Sequence, residues 1–584
     1  MASEWLPEDD GVITVQEGNS LEYRFERGFL DYQGDDFYNG IIEFELKPSA
    51  DRAFFYIYFR SDDNNQSEVI YLRTHKSSAP DTVQYSPVFQ GRSAWQLYHG
   101  DSGTAAASLI ANEWNQIRIK VENQRLSMWV GNMQQPVFDN LLLKGAERAG
   151  KLRLRGNIPN ASQAKLTGMV RNIQVTHLPR SQGIAISAAS IPPGMLTGYR
   201  VSPAFKATKD AYTRIPEMLN DAHWAWVPSN QEGIVEFLKH RAVPAGSRTY
   251  AVVAEVELDA VAATVCPINL GFSDTLTLIH NQRPLFFADA SYRYAANRQE
   301  GLLHSQQATV YVPLVSGLNT LHAIVADSFG GWGLAMQLLD CEGVSVVTPQ
   351  QSSGAIAVSS VAHSAVTDDT RLAEHRQRDD SRKPDSLVSL VGTLPGDTVV
   401  ELAAGSGYYA AILSRVVGNR GHVLAIDPEK IFTAFPSARE TFSSFLKEDP
   451  LTNTQYSVQH FDELEWSLPA DSVFMNLYYH DTVWTGEDRT KMNAAIYAGL
   501  KPGGRYVIVD HSAADNASVD DFQRLHRMDA SRVIPEVVAA GFQLVTTSSI
   551  LASQTDDYSL SVFDAEVRGQ TDRFIYLFEK PLDK

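Results

Sequence analysis

The stretch from Val399 to Tyr409, which reads VVELAAGSGYY, decides the fold of the last part of the chain. A short apolar run leads to Glu401, and the small residues from Ala403 to Gly407 then turn the chain. An apolar pattern with helical spacing follows at Tyr409, Ile412, Leu413 and Val416. The order is strand, small-residue turn and helix. Glycines in such a turn let the backbone approach a ligand, and the start of the helix presents free N–H groups.

A second predicted strand runs from His422 to Ile426 and ends in Asp427, 22 positions after Gly405 (427 − 405). In a nucleotide-binding βαβ unit, an acidic residue about 20 positions beyond the turn hydrogen-bonds a ribose. A carboxylate there suits the diol of a ribose and disfavours a ribose phosphate. The spacing therefore predicts a nucleoside site, and a tight turn without a ligand is the alternative.

Later segments continue the alternation of strands and helices. The pattern predicts strands at 472–477, 505–509, 543–545 and 574–578, with a turn at Leu500–Gly504 before the second of them. A helix closes at Ala539–Phe542. Strands that alternate with helices indicate a doubly wound α/β sheet.

This part of the chain resembles the class I S-adenosylmethionine (SAM) methyltransferases, a Rossmann-like α/β family. The residues that match are Glu401–Gly407, Asp427 and the turn Lys501–Gly504. The family usually has glycine at the position of Ala403, so the chain departs from the pattern there. The resemblance implies SAM as the cofactor, held by Glu401, Ala403, Gly405, Gly407, Tyr408, Asp427, Asp462 and Asn476.

Four short motifs resemble those of a narrower bacterial group of predicted methyltransferases. They are YYHD at 478–481, DHSA at 510–513, HRMD at 526–529 and AAGF at 539–542. The same group carries a segment similar to Arg382–Pro384, which implies a cover over the active site. A solvated charged turn is the alternative explanation of that segment.

Ionisable side chains follow two predicted strands at their carboxyl ends, namely His480, Asp481, Asp510 and His511. Ligands and chemistry belong at this edge of an open α/β sheet. Either histidine could act as the general base that deprotonates a substrate hydroxyl, with Asp481 orienting it. A divalent metal site and a self-satisfied bracing network are the alternatives, since all of these side chain types ligate metals. Our primary interpretation assigns them to catalysis and assigns no metal.

The composition limits the other possibilities. A chain of 584 residues predicts three or four domains, at about 150 residues each. The net charge of −19 without a basic block makes nucleic acid an unsuitable partner, and no apolar run is long enough to span a membrane. Cys266 and Cys341 form one bridge or remain two buried thiols. Residues 1–5 lack the features of a signal peptide, and a trimmed signal would give the same start.

Residues 1–180 carry short alternating strands separated by Asp, Asn and Gly turns, which indicates an all-β sandwich. Several of these segments resemble a concanavalin A-like jelly roll, a family found in glycan-binding and glycan-cleaving proteins. Glu43 and Glu45 have the spacing of a carboxylate pair on one strand face, or form the solvent side of an edge strand. Aromatic residues could form a sugar-stacking platform or belong to the core: Tyr85, Phe89, Trp95 and Tyr98.

Residues 181–350 resemble a galactose-binding-type β-sandwich, with Asn281-Gln282 as a hairpin turn. Trp332 lies between glycines and could be an exposed platform or a structural plug, and we favour the plug. The polar segment Thr348–Gly354 predicts the boundary to the third domain, residues 351–584.

The sequence thus predicts two N-terminal all-β sandwiches of jelly-roll type, followed by a doubly wound α/β methyltransferase-like domain. The expected function is SAM-dependent methylation of a hydroxyl on a small-molecule or glycan-related substrate, with appended carbohydrate-binding modules. One alternative is a methyltransferase fold repurposed for lyase or hydrolase chemistry in an exported protein. Another is a non-catalytic carbohydrate-binding protein. The expected location is periplasmic or secreted if a signal was trimmed, and cytoplasmic otherwise.

Overall fold

The computed structural model describes residues 4–17, 20–62, 65–160, 162–179, 191–220, 222–293, 299–347, 358–515 and 517–582. The predicted boundary at Thr348–Gly354 lies outside these residues. The chain forms two compact units. The first comprises Met1–Ser190, Ala290–Leu303 and Phe329–Trp332, and the second comprises Ile191–Asp289, His304–Ser328 and Gly333–Lys584. The predicted second and third domains therefore share one unit.

The first unit is built of antiparallel strands. They are β1 Trp5–Pro7, β2 Val12–Glu17, β3 Ser20–Phe25, β4 Gly28–Tyr32, β5 Gly40–Pro48, β6 Phe54–Ser61, β7 Ser67–Arg73, β8 Val83–Phe89, β9 Arg92–Ser93, β10 Thr104–Ala105, β11 Asn115–Glu122, β12 Arg125–Val130, β13 Phe138–Leu142, β14 Lys151–Asn157 and β15 Gly168–His177. One sheet has the order β1-β4-β14-β6-β7-β8-β10, with β9 paired to β8, and another has the order β13-β12-β11-β5-β15-β3-β2.

A single hydrophobic cluster fills the space between these sheets. It takes alternate residues of β5, such as Ile42 and Phe44, and alternate residues of β6, such as Phe55 and Ile57. This alternation is the period-2 pattern of a strand with one buried face. The all-β prediction for this region is confirmed, and its likeness to a jelly-roll family stays a prediction.

Glu43 and Glu45 lie on the less buried face of β5, as the solvent-side alternative predicts, but the edge position is wrong. The strand lies in the interior of its sheet, so it is not an edge. Glu43 accepts a hydrogen bond from Arg118 at 2.7 Å, and Glu45 accepts one from Arg171 at 2.8 Å. Cross-strand ion pairs therefore account for both carboxylates.

The second unit begins with further antiparallel strands. They are β16 Gly198–Val201, β17 Phe205–Lys206, β18 Ala225–Pro228, β19 Ile234–Glu236, β20 Tyr250–Ala260, β21 Thr264–Ser273, β22 Thr275–His280, β23 Arg283–Asp289, β24 Ala308–Leu314, β25 Gly317–Asp327, β26 Gly333–Leu338 and β27 Val344–Val347. One sheet has the order β18-β16-β20-β25-β22-β23, with β17 and β27 also paired to β20, and another has the order β19-β26-β21-β24. Asn281 and Gln282 join β22 to β23 with φ of 45° and 65°, which confirms the predicted hairpin turn.

Cys266 and Cys341 form a disulfide, and their Cα atoms lie 5.2 Å apart. Of the two alternatives for the cysteines, the structure therefore has the bridge and not two buried thiols. Trp332 of the first unit is fully buried, which agrees with the structural plug.

The α/β part of the second unit follows. Its strands are β28 Thr398–Leu402, β29 His422–Pro428, β30 Thr454–Gln459, β31 Ala470–Asn476, β32 Leu500–His511, β33 Gln543–Ser548 and β34 Arg573–Glu579. Its helices are α1 Val358–Thr367, α2 Ala373–Arg376, α3 Asp379–Arg382, α4 Pro384–Val391, α5 Tyr408–Val417, α6 Ile431–Ala434, α7 Thr441–Glu448, α8 Asp481–Trp484, α9 Arg489–Gly499, α10 Val519–Leu525 and α11 Val533–Ala539.

The strand order of this sheet is β30-β29-β28-β31-β32-β34-β33, with β28 to β32 parallel and β34 antiparallel to both of its neighbours. Every residue of β28 is buried, as expected for a parallel strand that is covered on both faces. The order reverses at β28, between β29 and β31. This topological switch point is where an open α/β sheet binds ligands, beyond the carboxyl ends of its strands.

The predicted turn Leu500–Gly504 is wrong in one respect, because these residues lie within β32. Leu500 pairs with Ala470 and Arg505 pairs with Ser472, so Lys501–Gly504 bulge out of the ladder. Gly503 and Gly504 are tied to Lys580 by backbone hydrogen bonds, which keep the bulge within the sheet. No helix of the described residues has the length and hydropathy to cross a membrane.

Candidate functional site

The small-residue turn follows β28 directly and adopts left-handed backbone conformations. Ala403, Gly405 and Gly407 have φ of 58°, 57° and 76°. A Cβ atom on Gly405 would meet nothing closer than the carbonyl oxygen of Ala403 at 3.9 Å. A Cβ atom on Gly407 would approach the Phe445 ring to 2.3 Å. Gly405 therefore leaves open space for a ligand, whereas Gly407 is required for packing.

Asp427, the predicted ribose acceptor, ends β29 beside this turn. Its Oδ1 accepts a hydrogen bond from the Gly405 N–H at 2.9 Å, and its Oδ2 accepts one from the Tyr456 hydroxyl at 2.9 Å. Burial raises the pKa of this carboxyl above its usual value. Each carboxylate oxygen keeps a further lone pair, so the arrangement leaves acceptor capacity for a ribose. The role of Asp427 stays a prediction.

Two buried oxygen atoms beside the turn have no hydrogen-bond partner among the described residues. They are Oε2 of Glu401 and the hydroxyl of Tyr409, both in side chains that are almost completely buried. Burial, and after it the charge of Asp427, raises the pKa of Glu401 well above its usual value. A buried polar group without a partner costs about 1–3 kcal/mol. These atoms therefore mark a place where a polar ligand would recover that cost.

The segment that precedes β28 lies over the turn. Arg378 donates to the Ser406 hydroxyl at 3.2 Å, and the Tyr408 hydroxyl donates to Asp379 at 2.7 Å. The Arg382 guanidinium lies 4.6 Å from the centre of the Tyr408 ring. Tyr408 is therefore a buried anchor for this segment. The structure supports the cover and not the solvated charged turn.

Arg382 is a half-buried cation of this segment. Among the described residues, no carboxylate lies within ion-pair distance of its guanidinium. Its charge nevertheless lowers the pKa of His511 and acts on Glu401 and Tyr409, so it faces the same space as these groups. Sequence reasoning placed the segment but gave Arg382 no role, because a charged turn carries no signal of what it faces.

Two further predicted cofactor residues lie on the neighbouring loops. Asp462 accepts from Lys430 Nζ at 2.9 Å and from the backbone N–H of Asp488 at 2.5 Å. Asn476 is half-buried at the end of β31, one position beyond the Met475 that pairs with Leu402. Asn476 therefore borders the turn, while Asp462 is fixed by an ion pair.

His480 and Asp510 form a buried pair at the carboxyl ends of β31 and β32. Asp510 accepts from His480 Nδ1 and from its backbone N–H, both at 2.7 Å. Asp481 Oδ1 lies 3.0 Å from His480 Nε2, although the direction does not make a hydrogen bond. Burial opposes a charge on this ring, but Asp510 and Asp481 outweigh it and raise the pKa of His480 to about 10. His480 is therefore an imidazolium at neutral pH.

His511 differs from His480 in its charge state. Its Nδ1 is 2.9 Å from the Thr571 hydroxyl, and no described residue hydrogen-bonds its Nε2. Burial, the charge of His480 and that of Arg573 lower the pKa of His511 well below its usual value. His511 is therefore neutral at pH 7 with Nε2 open. Of the two histidines predicted as the base, only His511 has a free lone pair at that pH.

The four residues predicted for a metal do not converge on one point. Nδ1 of His480 is taken by Asp510, and His511 faces Thr571. Instead His480, Asp481 and His526 bring ligand atoms within 4.8 Å of one another. His526 Nδ1 lies 3.1 Å from Asp481, so the arrangement is also satisfied as an ion-pair chain. His480, Asp481 and Asp510 thus fit the alternative of a self-satisfied polar network. His511 is not part of that network.

A methyltransferase family model matches the turn and its flanks. Residues 385–444 match the model described as protein-L-isoaspartate(D-aspartate) O-methyltransferase. This segment contains β28, the small-residue turn, α5 and Asp427, and covers less than half of the chain.

Curated relatives are also methyltransferases. The chain is 25% identical over 147 residues to a ubiquinone/menaquinone biosynthesis C-methyltransferase UbiE of Haemophilus ducreyi, which covers 25% of this chain and 52% of that one. It is 28% identical over 179 residues to the chloroplastic 2-phytyl-1,4-beta-naphthoquinone methyltransferase of Arabidopsis thaliana, which covers 29% and 62%. The chain spans between half and two thirds of the length of these relatives.

Solved structures align with the same part of the chain. A SAM dependent methyltransferase from Aquifex aeolicus covers 38% of this chain and 99% of its own, with 17% identity and a TM-score of 0.26. The [4+2]-cyclase SpnF covers 40% and 97%, with 15% identity and a TM-score of 0.29. The family match and the curated relatives thus show that the last part of this chain is similar to methyltransferases.

Proposed function

We propose that this protein is a SAM-dependent methyltransferase that acts on a hydroxyl group. The observation that carries the proposal is the turn at Gly405. It combines open space, unpartnered buried oxygens on Glu401 and Tyr409, and a neutral His511 at the neighbouring strand end. The narrower likeness to the bacterial group with the YYHD and DHSA motifs is part of this proposal.

The polar groups around the turn fit the cofactor. Glu401 and the Tyr409 hydroxyl offer acceptors for its amino group, and Asp427 retains acceptor capacity for its ribose. Arg382 offers a guanidinium to its carboxylate. When bound, SAM supplies an electrophilic methyl group.

The contribution of the chain is to orient the acceptor and to receive its proton. His511 takes the proton of the acceptor hydroxyl at Nε2, while Thr571 holds the other ring nitrogen. His480 is charged and bound to Asp510, so it acts as a fixed positive group beside the acceptor oxygen rather than as the base. This corrects the symmetric roles that the sequence suggested for the two histidines. Alignment of the acceptor is the larger requirement of such a transfer.

The proposed class of methyl acceptor depends on the β-rich regions that precede the α/β part. We propose a small-molecule or glycan-related acceptor, with the β-rich regions as carbohydrate-binding modules of concanavalin A-like and galactose-binding-like type. Methylation of a ring carbon is the second candidate, because the curated relatives are named as C-methyltransferases or as a naphthoquinone methyltransferase. We propose no nucleic-acid partner, since the net charge is −19.

An oxidising location is part of the proposal. The disulfide Cys266–Cys341 is the supporting observation, because disulfides persist mainly in exported proteins. SAM is a cytoplasmic metabolite, so a periplasmic or secreted methyltransferase would need SAM to be exported to it. A cytoplasmic enzyme would not have this requirement.

The test is methyl transfer from labelled SAM to phenolic, sugar and quinol acceptors, followed by mass spectrometry of the products. His511→Gln should lower the rate by about 100-fold or more, the usual contribution of a general base. His363→Gln, at an exposed position of α1, is the matched control and should not change the rate. Label on carbon would favour the second candidate, and label on no acceptor with no SAM bound would contradict methyl transfer altogether.

A further inference from the structure

An aromatic groove crosses one sheet of the first unit. The groove has a volume of about 830 Å³ and lies over β6, β7 and β14. Phe54, Tyr56 and Tyr58 of β6 line it, while Phe55, Ile57 and Phe59 alternate with them into the core. The groove is thus the outer face of a sheet whose other face is fully packed, and its aromatic residues are not needed for the core.

The rings of this face form a shallow floor. Tyr56 lies 5.0 Å from Tyr71 with an interplanar angle of 34°, and 6.3 Å from Phe54 with an angle of 30°. Trp95, Tyr292 and Phe329 form a contiguous aromatic wall, with ring centres 5.4–6.3 Å apart. Of the aromatic residues that the sequence suggested as a platform, only Trp95 takes part. Tyr85, Phe89 and Tyr98 are buried.

The charges of the groove are distributed unevenly. Arg153 is paired with Glu8 and Asp31, and Arg73 is paired with Asp81. Arg155 has no carboxylate within ion-pair distance among the described residues. Its guanidinium lies 4.8 Å from the centre of Phe29 and 5.9 Å from that of Tyr56, and it donates to the Tyr58 hydroxyl at 3.4 Å. The groove therefore offers one positive charge without an ion-pair partner in the described part of the chain, at the edge of its aromatic floor, while the carboxylate of Glu300 lines the groove near Tyr71.

We propose that this groove binds an acidic oligosaccharide, with sugar rings on Phe54 and Tyr56, which are both half-buried, and a carboxylate on Arg155. The aromatic rings can stack against the apolar faces of sugar rings. The tyrosine hydroxyls and the Arg155 guanidinium can hydrogen-bond the polar edges of the sugars. The proposal rests on the carbohydrate partner proposed above, and it does not depend on methyl transfer.

A single-stranded nucleic acid is the competing occupant, because bases also stack on aromatic rings. Its affinity depends on several Lys or Arg side chains that are available to neutralise phosphates. In this groove Arg153, Arg73 and Lys76 are already paired with carboxylates of the chain. The observations therefore favour a ligand that needs one strong positive contact and an aromatic floor.

The test is calorimetric titration of the full-length protein, without SAM, with hexamers of galacturonate, mannuronate and hyaluronan. Fully methyl-esterified hexagalacturonate is the uncharged control for hexagalacturonate. At least one acidic hexamer should bind with a dissociation constant below about 1 mM, and the ester should bind about tenfold more weakly than its acid. Failure of the methyltransferase proposal would leave these titrations unchanged, because they contain no cofactor.

Variants locate the site and separate its two components. Tyr56→Ala should weaken acidic hexamer binding by about tenfold or more, and Arg155→Gln should abolish the preference for the acid over its ester. Arg155→Lys should retain part of that preference. Tyr311→Ala removes an exposed aromatic ring from β24 and is the matched control, expected to bind as the wild type. Thermal unfolding of each variant checks its fold.

Three results would overturn the proposal. They are the absence of binding by every acidic hexamer, equal binding of the acid and its ester, and binding that Tyr56→Ala and Arg155→Gln leave unchanged. Tighter binding of oligodeoxythymidylate than of any hexasaccharide would assign the groove to nucleic acid instead.

Discussion

At the scale of single residues, the site depends on the charge states of two histidines whose surroundings differ. His480 lies between Asp510 and Asp481, whereas His511 lies near His480, Arg573 and Arg382. The sequence predicts that these histidines follow adjacent strands, since strand ends are visible in the apolar pattern. It does not predict which carboxylate each ring meets, because that depends on side-chain directions in loops.

The pH dependence of kcat/KM distinguishes the two histidines as base. The pKa of His511 is lowered, so its neutral form persists below pH 6.5 and the rate should already be near its plateau at that pH. The pKa of His480 is raised to about 10, so a reaction that used it as the base would accelerate up to about pH 10. A pH–rate profile of the purified enzyme measures this, and a rise between pH 8 and pH 10, of about tenfold per pH unit, would contradict the role of His511.

At the scale of elements, the pattern of the chain predicts every strand of the α/β part except β30, but only a few of its helices. Apolar runs such as Val423–Ile426 indicate strands clearly because a parallel strand is buried on both faces. Pro-Gly-Gly favours a turn, so the sequence predicts one at Leu500–Gly504, but the Gly503 N–H donates to the Lys580 carbonyl and the Lys580 N–H donates to that of Gly504, which keeps the segment in β32. The short helices α2 and α3 carry too little periodicity to show that they cover the Gly405 turn.

The cover brings Arg382 to the site, which leads to a prediction for cofactor binding. Arg382→Gln should weaken binding of SAM by about tenfold, because it removes a charge-assisted contact to a carboxylate. Binding of 5′-methylthioadenosine, which lacks the amino-acid end, should not change. Calorimetry with both ligands measures the difference, and Arg376→Gln on the same segment is a control. Equal weakening for both ligands would place Arg382 elsewhere in the cofactor site.

At the scale of the whole molecule, the sequence predicts the classes of fold but not how the chain is divided. Segments Ala290–Leu303 and Phe329–Trp332 belong to the first unit although the chain around them belongs to the second. This exchange has no signal in local composition, since it results from long-range packing. The aromatic groove was missed for the same reason, because Trp95, Tyr292 and Phe329 are distant in sequence.

The disulfide should be a major contribution to the stability of the second unit. It links positions 75 residues apart, and a bridge across a loop of that length restricts the unfolded chain by about 4 kcal/mol. The double variant Cys266→Ala/Cys341→Ala should therefore lose about 2–5 kcal/mol in the free energy of unfolding, measured with urea under non-reducing conditions. The control compares the double variant with the wild type fully reduced by dithiothreitol. If the variant is less stable than the reduced wild type by the same amount, the loss comes from packing and not from the disulfide.

The central claim is that the open turn at Gly405 binds SAM, and calorimetric titration of SAM into matched glycine variants tests it most directly. Gly405→Val places a side chain in the open space, whereas Gly418→Val places the same side chain at another open glycine of positive φ, 61° against 57°. We expect Gly418→Val to bind SAM as the wild type does and Gly405→Val to bind at least about 100-fold more weakly. Equal affinity in both variants, or no binding by the wild type, would contradict the claim.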